Sequence, residues 1–325
     1  MTRWLKFLFE TDKHPVRRLL WLEWVMLGYM AVTLLMMLFM ATKVVNPGMM
    51  FWGRFRILVS TLAMWGVYRM VPCRLTMMLR VALQLALLSW WYPDTYELNR
   101  TLPNLDHLFA GMEQRLFGCQ PALLFAQRWS HPVVSELMDM GYTSYYPLIV
   151  LVSLFYFLCR NTEFLKAEFV ILGSFFAYYL IFIVLPVTGP QFYYLAVGTD
   201  AIAHGVFPPM GDYFATHQEA MAVPGYTDGL FYQLVCDAHD AGERPTAAFP
   251  SSHVGVTTVL MLLAWKTRNR RLFLFMLPFF LLMCLSTVYI MAHYAIDVLA
   301  GLVTGVLIFL ILYTAYDLLL EKREI

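Results

Sequence analysis

Charge is what this chain has least of. Lys, Arg, Asp and Glu make up 14% of its 325 residues, whereas a soluble domain carries about a quarter. The shortfall excludes a chain whose surface faces mainly water. Net charge is +1, so no overall field draws the protein to nucleic acid. Cysteine is sparse too, and the five residues lack metal-type spacing. Cys73, Cys159 and Cys284 fall in or beside apolar segments. Cys119 and Cys236 fall in long connections, where a disulfide could form but spacing alone does not pair them. Internal repeats and Gly/Pro-broken apolar segments are missing, which speaks against a transporter. No small-residue cleavage site follows the basic N-terminus, so the first apolar segment reads as an uncleaved span.

What is abundant is apolar surface: 60% of residues are hydrophobic and 16% aromatic. A bilayer core takes roughly 20 apolar residues per helix. Eight candidates run near 20–42, 55–72, 75–92, 142–159, 169–186, 251–265, 272–290 and 293–316. Between Leu272 and Tyr316 the only formal charge is Asp297. At ~1.5 Å per residue that stretch makes about 68 Å of helix, enough for two crossings. Its turn must lie near Tyr289–His293, although no Gly or Pro marks it. The expected fold class is all-α, a polytopic integral membrane helical bundle.

Lys and Arg collect in the N-terminus, the even-numbered connections and the tail, which places both termini in the cytoplasm. The connection 187–250 has seven acids and one base, Arg244, and so belongs outside; 93–141 agrees with six acids against three Arg. Lys43, Arg54 and Arg56 dissent from this pattern. In the connection 93–141 Leu105, Leu108, Phe109, Met112, Leu116 and Phe117 fall on one helical face. A helix of that kind lies in the bilayer interface or packs on the outer ends of the spans. Asn104 is its expected N-cap.

An ionisable group inside a span is costly and marks a functional candidate. Asp297 lies one turn into the last span, and His293 precedes it by four residues, on the same helical face. A carboxylate on one imidazole nitrogen makes the other a better base or nucleophile. A satisfied polar pair between helices is the plain alternative. The run Phe249-Pro250-Ser251-Ser252-His253 opens the sixth span from the same side. Ser251 or Ser252 can cap that helix and leave N–H groups for an anion. Two imidazoles, an acid and an anion-binding helix start are the parts of a phosphoryl-transfer site. They are also a two-histidine, one-carboxylate metal face.

Pro250-Ser251-Ser252-His253 resembles the Pro-Ser-Gly-His motif of the type-2 phosphatidic acid phosphatase superfamily. Ser286-Thr287, five residues, His293, three residues and Asp297 resembles its Ser-Arg-x5-His-x3-Asp motif, and Arg244-Pro245 resembles the end of its Lys-x6-Arg-Pro motif. The likeness covers a six-helix core from about Leu75 onward (75–325), with residues 1–74 as two additional spans. Three positions depart: Asp237 stands in place of Lys, Thr287 of Arg and Ser252 of Gly. With Ala292-His293-Tyr294 and Pro186-Val187-Thr188-Gly189-Pro190, these departures look like the inositol phosphorylceramide synthase branch.

The resemblance implies that His293 attacks phosphorus, Asp297 orients it, and His253 serves the leaving and accepting oxygens. Arg244, Ser251 and Ser252 would hold the phosphate oxygens. Gln191, Tyr193 and Tyr294 are candidates for an acceptor or head-group pocket. No metal or organic cofactor is implied. The partners would be membrane lipids, a phospholipid donor and a lipid alcohol acceptor. The site would face the periplasm from a bacterial inner membrane, or the lumen of a Golgi membrane.

A monoester phosphate carries nearly two charges and a diester one. A single Arg in 187–250 favours the diester and so a transferase; a lipid phosphate phosphatase is the alternative. Arg100, Arg115 or Arg128 folding in would weaken that argument.

Overall fold

The computed structural model describes residues 3–13, 15–242 and 244–324. The described residues are helical, joined by loops, with one isolated bridge between Thr11 and Cys73. The helices α1 (Trp21–Phe39) and α2 (Pro47–Met70) form an N-terminal pair. Next, α3 (Arg74–Ala86) and α4 (Leu88–Asn99) run on as one 26-residue apolar stretch. Three shorter helices follow: α5 (Asp106–Phe117), α6 (Pro121–Arg128) and α7 (Pro132–Thr143). The last of these meets α8 (Tyr145–Cys159) at a 45° bend. Then come α9 (Phe164–Val184), α10 (Pro190–Val197) and α11 (Leu230–Gly242). The chain closes with α12 (Ser252–Lys266), α13 (Arg270–Tyr289) and α14 (Ala295–Glu324).

Among the described residues, five stretches are long and apolar enough to cross a membrane: Trp21–Phe39, Arg74–Asn99, Asn161–Val184, Arg270–Tyr289 and Ala295–Leu319. The bent pair α7–α8 makes a sixth if it counts as one span. The protein is therefore a polytopic helical membrane protein. Two of the eight expected spans fall outside this set for different reasons. Helix α12 has 15 residues, about 22 Å of helix against a hydrocarbon core of ~30 Å. Most of its side chains are buried, so protein rather than lipid surrounds it. Helix α2 is long but carries Arg54, Arg56 and Arg69. The most enclosed crossing is Asn161–Val184, with 78% of its most apolar window buried against 33–39% for the other four.

Arg54, which dissented as a loop charge, is an interior residue of α2. Its guanidinium is 4% exposed and pairs with Asp94 of α4 at 2.7 Å. A second buried pair joins Arg80 of α3 to Glu23 of α1. These two pairs tie the N-terminal helices to the rest of the bundle.

The turn between α13 and α14 lies where expected. In place of glycine, Met291 adopts φ +62°. The amide of His293 bonds to Thr287 O at 3.0 Å, and that of Gln191 bonds to Met291 O at 2.9 Å. All five cysteines are free thiols, so Cys119 and Cys236 are not bridged.

Helices α12 and α14 touch through glycine. A Cβ on Gly301 would lie 2.6 Å from Ser251 O, and one on Gly305 would lie 2.6 Å from Gly255 O. Small residues let membrane helices approach to backbone contact. Here the approach sets the start of α12 against the start of α14. Gly301→Val is expected to force these helices apart, at about 1–3 kcal/mol or more. A lowered midpoint in a thermal melt of the purified protein checks this.

Candidate active site

His253 is the second residue of α12, and His293 sits in the turn before α14. Forty positions apart in the chain, they meet in space, with His253 Nδ1 3.4 Å from His293 Nε2. His293 Nδ1 lies 2.7 Å from the carbonyl oxygen of Ala248. A carbonyl only accepts, so Nδ1 carries the proton, and Nε2 faces His253 with its lone pair. His293 is 3% exposed, whereas His253 is partly open. The rings of Tyr142 and Tyr145 lie 4.7 Å and 4.6 Å from that of His253. Both tyrosines flank the bend between α7 and α8, which places them on either side of the break.

Asp297 is fully buried, with Oδ2 3.7 Å from His293 Nδ1. That is an electrostatic contact; the expected hydrogen bond is absent. The helix starts at Ala295, so His293 lies outside it and the i, i+4 geometry of one helical face does not apply. Instead Asp297 Oδ2 accepts from Tyr294 N at 2.8 Å, and the Asp297 carbonyl accepts from Ser251 N at 3.0 Å. The carbonyl of Ala248 fixes the tautomer, and the Asp297 carboxyl stands behind the ring.

Ser251 is the N-cap of α12, its hydroxyl accepting from Val254 N at 3.4 Å, and Ser252 is the first helical residue. Arg244 opens the segment that ends on Ala248. Its charge acts on the phenol of Tyr96, and the guanidinium of Arg100 lies 5.2 Å from the same ring. Arg100 also pairs with Glu97 at 2.9 Å. Thr287, at the position of the motif arginine, turns its hydroxyl onto Met283 O at 3.1 Å and points away from the histidines.

The expected head-group pocket needs correction. The Tyr193 phenol donates to Pro208 O at 2.8 Å, and that of Tyr294 donates to Asp106 Oδ1 at 2.9 Å. Both rings are fully buried, so neither presents its hydroxyl to a ligand. Gln191 is 2% exposed and uses its backbone to bridge Met291 and Met221. These residues support the site from behind.

Helix α5 supplies what the sequence reading left out. Leu108, Met112, Leu116 and Phe117 are exposed, while Asp106 and Glu113 are fully buried. The polar face, not the apolar one, turns inward. Asp106 accepts from Thr188 N, Thr188 Oγ1, Gly189 N, Asn104 Nδ2 and Tyr294 Oη. Asn104 in turn accepts from Asp106 N, but it stands one residue before the N-cap, which is Leu105 rather than the expected Asn104. Gly189 has φ +94°, and a Cβ there would lie 2.7 Å from Ala292 O. Only glycine lets this loop press against the turn that carries His293.

Glu113 Oε2 accepts from Ile296 N at 3.1 Å, at the start of α14. Burial pushes its carboxyl up to about 8; the Ile296 N–H opposes the shift and the charge of Asp297 adds to it. A carboxyl raised on folding takes up a proton as the chain folds. Its stability contribution is full below the unfolded value of 4.5 and is lost as pH rises through about 8. Stability should therefore fall between about pH 5 and 8, by up to about 1.4 kcal/mol per pH unit. Glu113→Gln should flatten that slope in melts recorded across the range.

A family model described as the PAP2 superfamily matches residues 107–311. The chain belongs to this superfamily. No curated protein and no solved structure matches it. The matched region begins at the second residue of α5, takes in both histidines and Asp297, and ends within α14. Membership in the PAP2 superfamily makes the protein an enzyme of the membrane phosphatase or phosphotransferase type.

Proposed function

We propose that the protein transfers a phospho-head-group, of the phosphoinositol type, from a glycerophospholipid to a lipid alcohol such as ceramide. His293 Nε2 attacks phosphorus while the bond from phosphorus to the glycerolipid oxygen breaks. His253 gives its proton to that oxygen, and diacylglycerol leaves. The acceptor hydroxyl then gives its proton to His253, its oxygen attacks phosphorus, and the bond to His293 breaks. Incoming phosphorus takes the place of the contact between the rings. Ser251, Ser252 and Arg244 serve the non-bridging oxygens, and Asp297 stabilises the charged His293 ring.

One observation carries this reading: a His293 ring whose Nδ1–H is held by the Ala248 carbonyl, so that Nε2 faces a second imidazole at 3.4 Å with its lone pair. Two further features favour transfer over hydrolysis. His293 is 3% exposed beneath the loop-rich end of the bundle, and a transferase must keep water from its phosphoenzyme. Arg100 is paired with Glu97, and Arg244 is the one arginine in the sequence of the 187–250 connection, in keeping with a singly charged diester. In this reading residues 75–325 form the catalytic core and residues 1–74 an accessory pair. Both termini are cytoplasmic, and the site opens to the opposite leaflet.

Lipid-product mass spectrometry tests the proposal. Purified protein with phosphatidylinositol and ceramide should yield a phosphoinositol ceramide and diacylglycerol in equal amounts, and His253→Ala should not. The second reading, a lipid phosphate phosphatase, draws on the closeness of Arg100 and Arg244 to one phenol, Tyr96. Free phosphate released from phosphatidic acid, with no ceramide product, would establish it instead.

A further inference from the structure

Asp139 of α7 is fully buried, and neither of its carboxylate oxygens has a hydrogen-bond partner. The mechanism above makes no use of it. Three neighbouring side chains make their bonds to other groups. Tyr289 donates to Trp129 O at 3.2 Å, and Ser135 Oγ accepts from Tyr226 N at 2.8 Å. Glu136 takes the amides of Phe231 and Tyr232 at the start of α11. The charge acting on Asp139 is that of Glu136, another acid. A buried carboxyl in this state lacks the hydrogen bonds that ordinarily offset burial, and a ligand entering beside it can supply them.

Its position says which part of the substrate supplies them. Asp139 precedes Tyr142 by three residues, about 4.5 Å along the helix axis and on the same side of it. The Tyr142 ring lies 4.7 Å from that of His253. His253 serves the oxygen of the lipid alcohol, first leaving and then arriving. The wall beside it therefore meets the alcohol rather than the head-group on the far side of phosphorus.

Resting on the transfer reading above, we propose that Asp139 is the acceptor-selecting site. It accepts hydrogen bonds from a lipid alcohol that carries a second donor, a hydroxyl or an amide N–H, near its reacting hydroxyl. Diacylglycerol has no such donor. Apart from its one hydroxyl it offers only ester oxygens, which would face the carboxylate acceptor to acceptor. A site built for a donor rejects the analogue that lacks it, because its own polar group is left unpaired.

The test is a competition on the full-length protein in lipid nanodiscs. Phosphatidylinositol is the donor, and the two acceptors are ceramide and a diacylglycerol of different acyl length. Mass spectrometry separates phosphoinositol ceramide from exchanged phosphatidylinositol. Wild type should favour ceramide, and Asp139→Ala should lower the ratio of the two kcat/KM values by about 10- to 100-fold. Asp139→Asn, which keeps one acceptor oxygen and the volume, should fall between. Both products come from the same enzyme sample, so a loss of folded protein cancels in the ratio. A ratio unchanged in both variants, with transfer intact in wild type, overturns the acceptor site alone. A wild type that makes neither product overturns the transfer reading and this proposal with it.

Discussion

Replacing His293 with glutamine is expected to lower turnover by about 10⁴-fold or more, as loss of an attacking group does when it acts as part of a unit. Glutamine keeps an amide N–H that can serve the Ala248 carbonyl, so the turn between α13 and α14 should survive. What disappears is the lone pair that His293 Nε2 presents 3.4 Å from His253 Nδ1. Brief reaction with donor carrying labelled phosphorus should give an acid-labile phosphoprotein in wild type and none in His293→Gln. The thermal midpoint of the variant should stay within a few degrees of wild type. Turnover within 100-fold of wild type would mean that some other group attacks phosphorus.

His253 and His293 were legible in the sequence because ionisable groups are so costly beside apolar segments that few occur without a purpose. Their spacing also carried the likeness to the superfamily. The partner of His293 was not legible. A four-residue interval suggests a helical pair, and nothing in the letters says that α14 begins two residues after the histidine. Nor does sequence show that a backbone carbonyl 45 positions away, at Ala248, takes the Nδ1 proton.

Helix α5 shows the same limit from the other side. Its 3.6-residue pattern was correctly read as amphipathic, but which face turns inward depends on what surrounds the helix. Where the outer surroundings are lipid, the apolar face turns out, and Asp106 and Glu113 turn toward the buried amides of Gly189 and Ile296. The membrane spans were read well where a long apolar run stands alone. They were misjudged where protein replaces lipid, as around α12. Pro147, which has no amide hydrogen for the carbonyl of Thr143 four residues earlier, was the available signal for the bend that brings Tyr142 and Tyr145 to His253.

The charges in the N-terminal half make the second large prediction. Arg54 donates to both oxygens of Asp94, at 2.9 Å and 2.7 Å, and also to Thr33 Oγ1 at 3.1 Å and Met50 O at 3.0 Å. The indoles of Trp90 and Trp91 lie 5.8 Å and 5.5 Å from its guanidinium carbon. One side chain thus joins α1, α2 and α4. Arg54→Met should cost about 3–5 kcal/mol, because it leaves a buried carboxylate without its counter-charge. Changing both partners, Arg54→Met with Asp94→Leu, should recover most of that loss, since no charge is then stranded. Unfolding of the purified protein in a denaturing detergent, followed for wild type, both single variants and the double, measures the coupling. A single variant that costs under about 1 kcal/mol would resemble an exposed pair. That result would show that aromatic packing around Trp91, and not the ion pair, fastens the two N-terminal helices to the bundle.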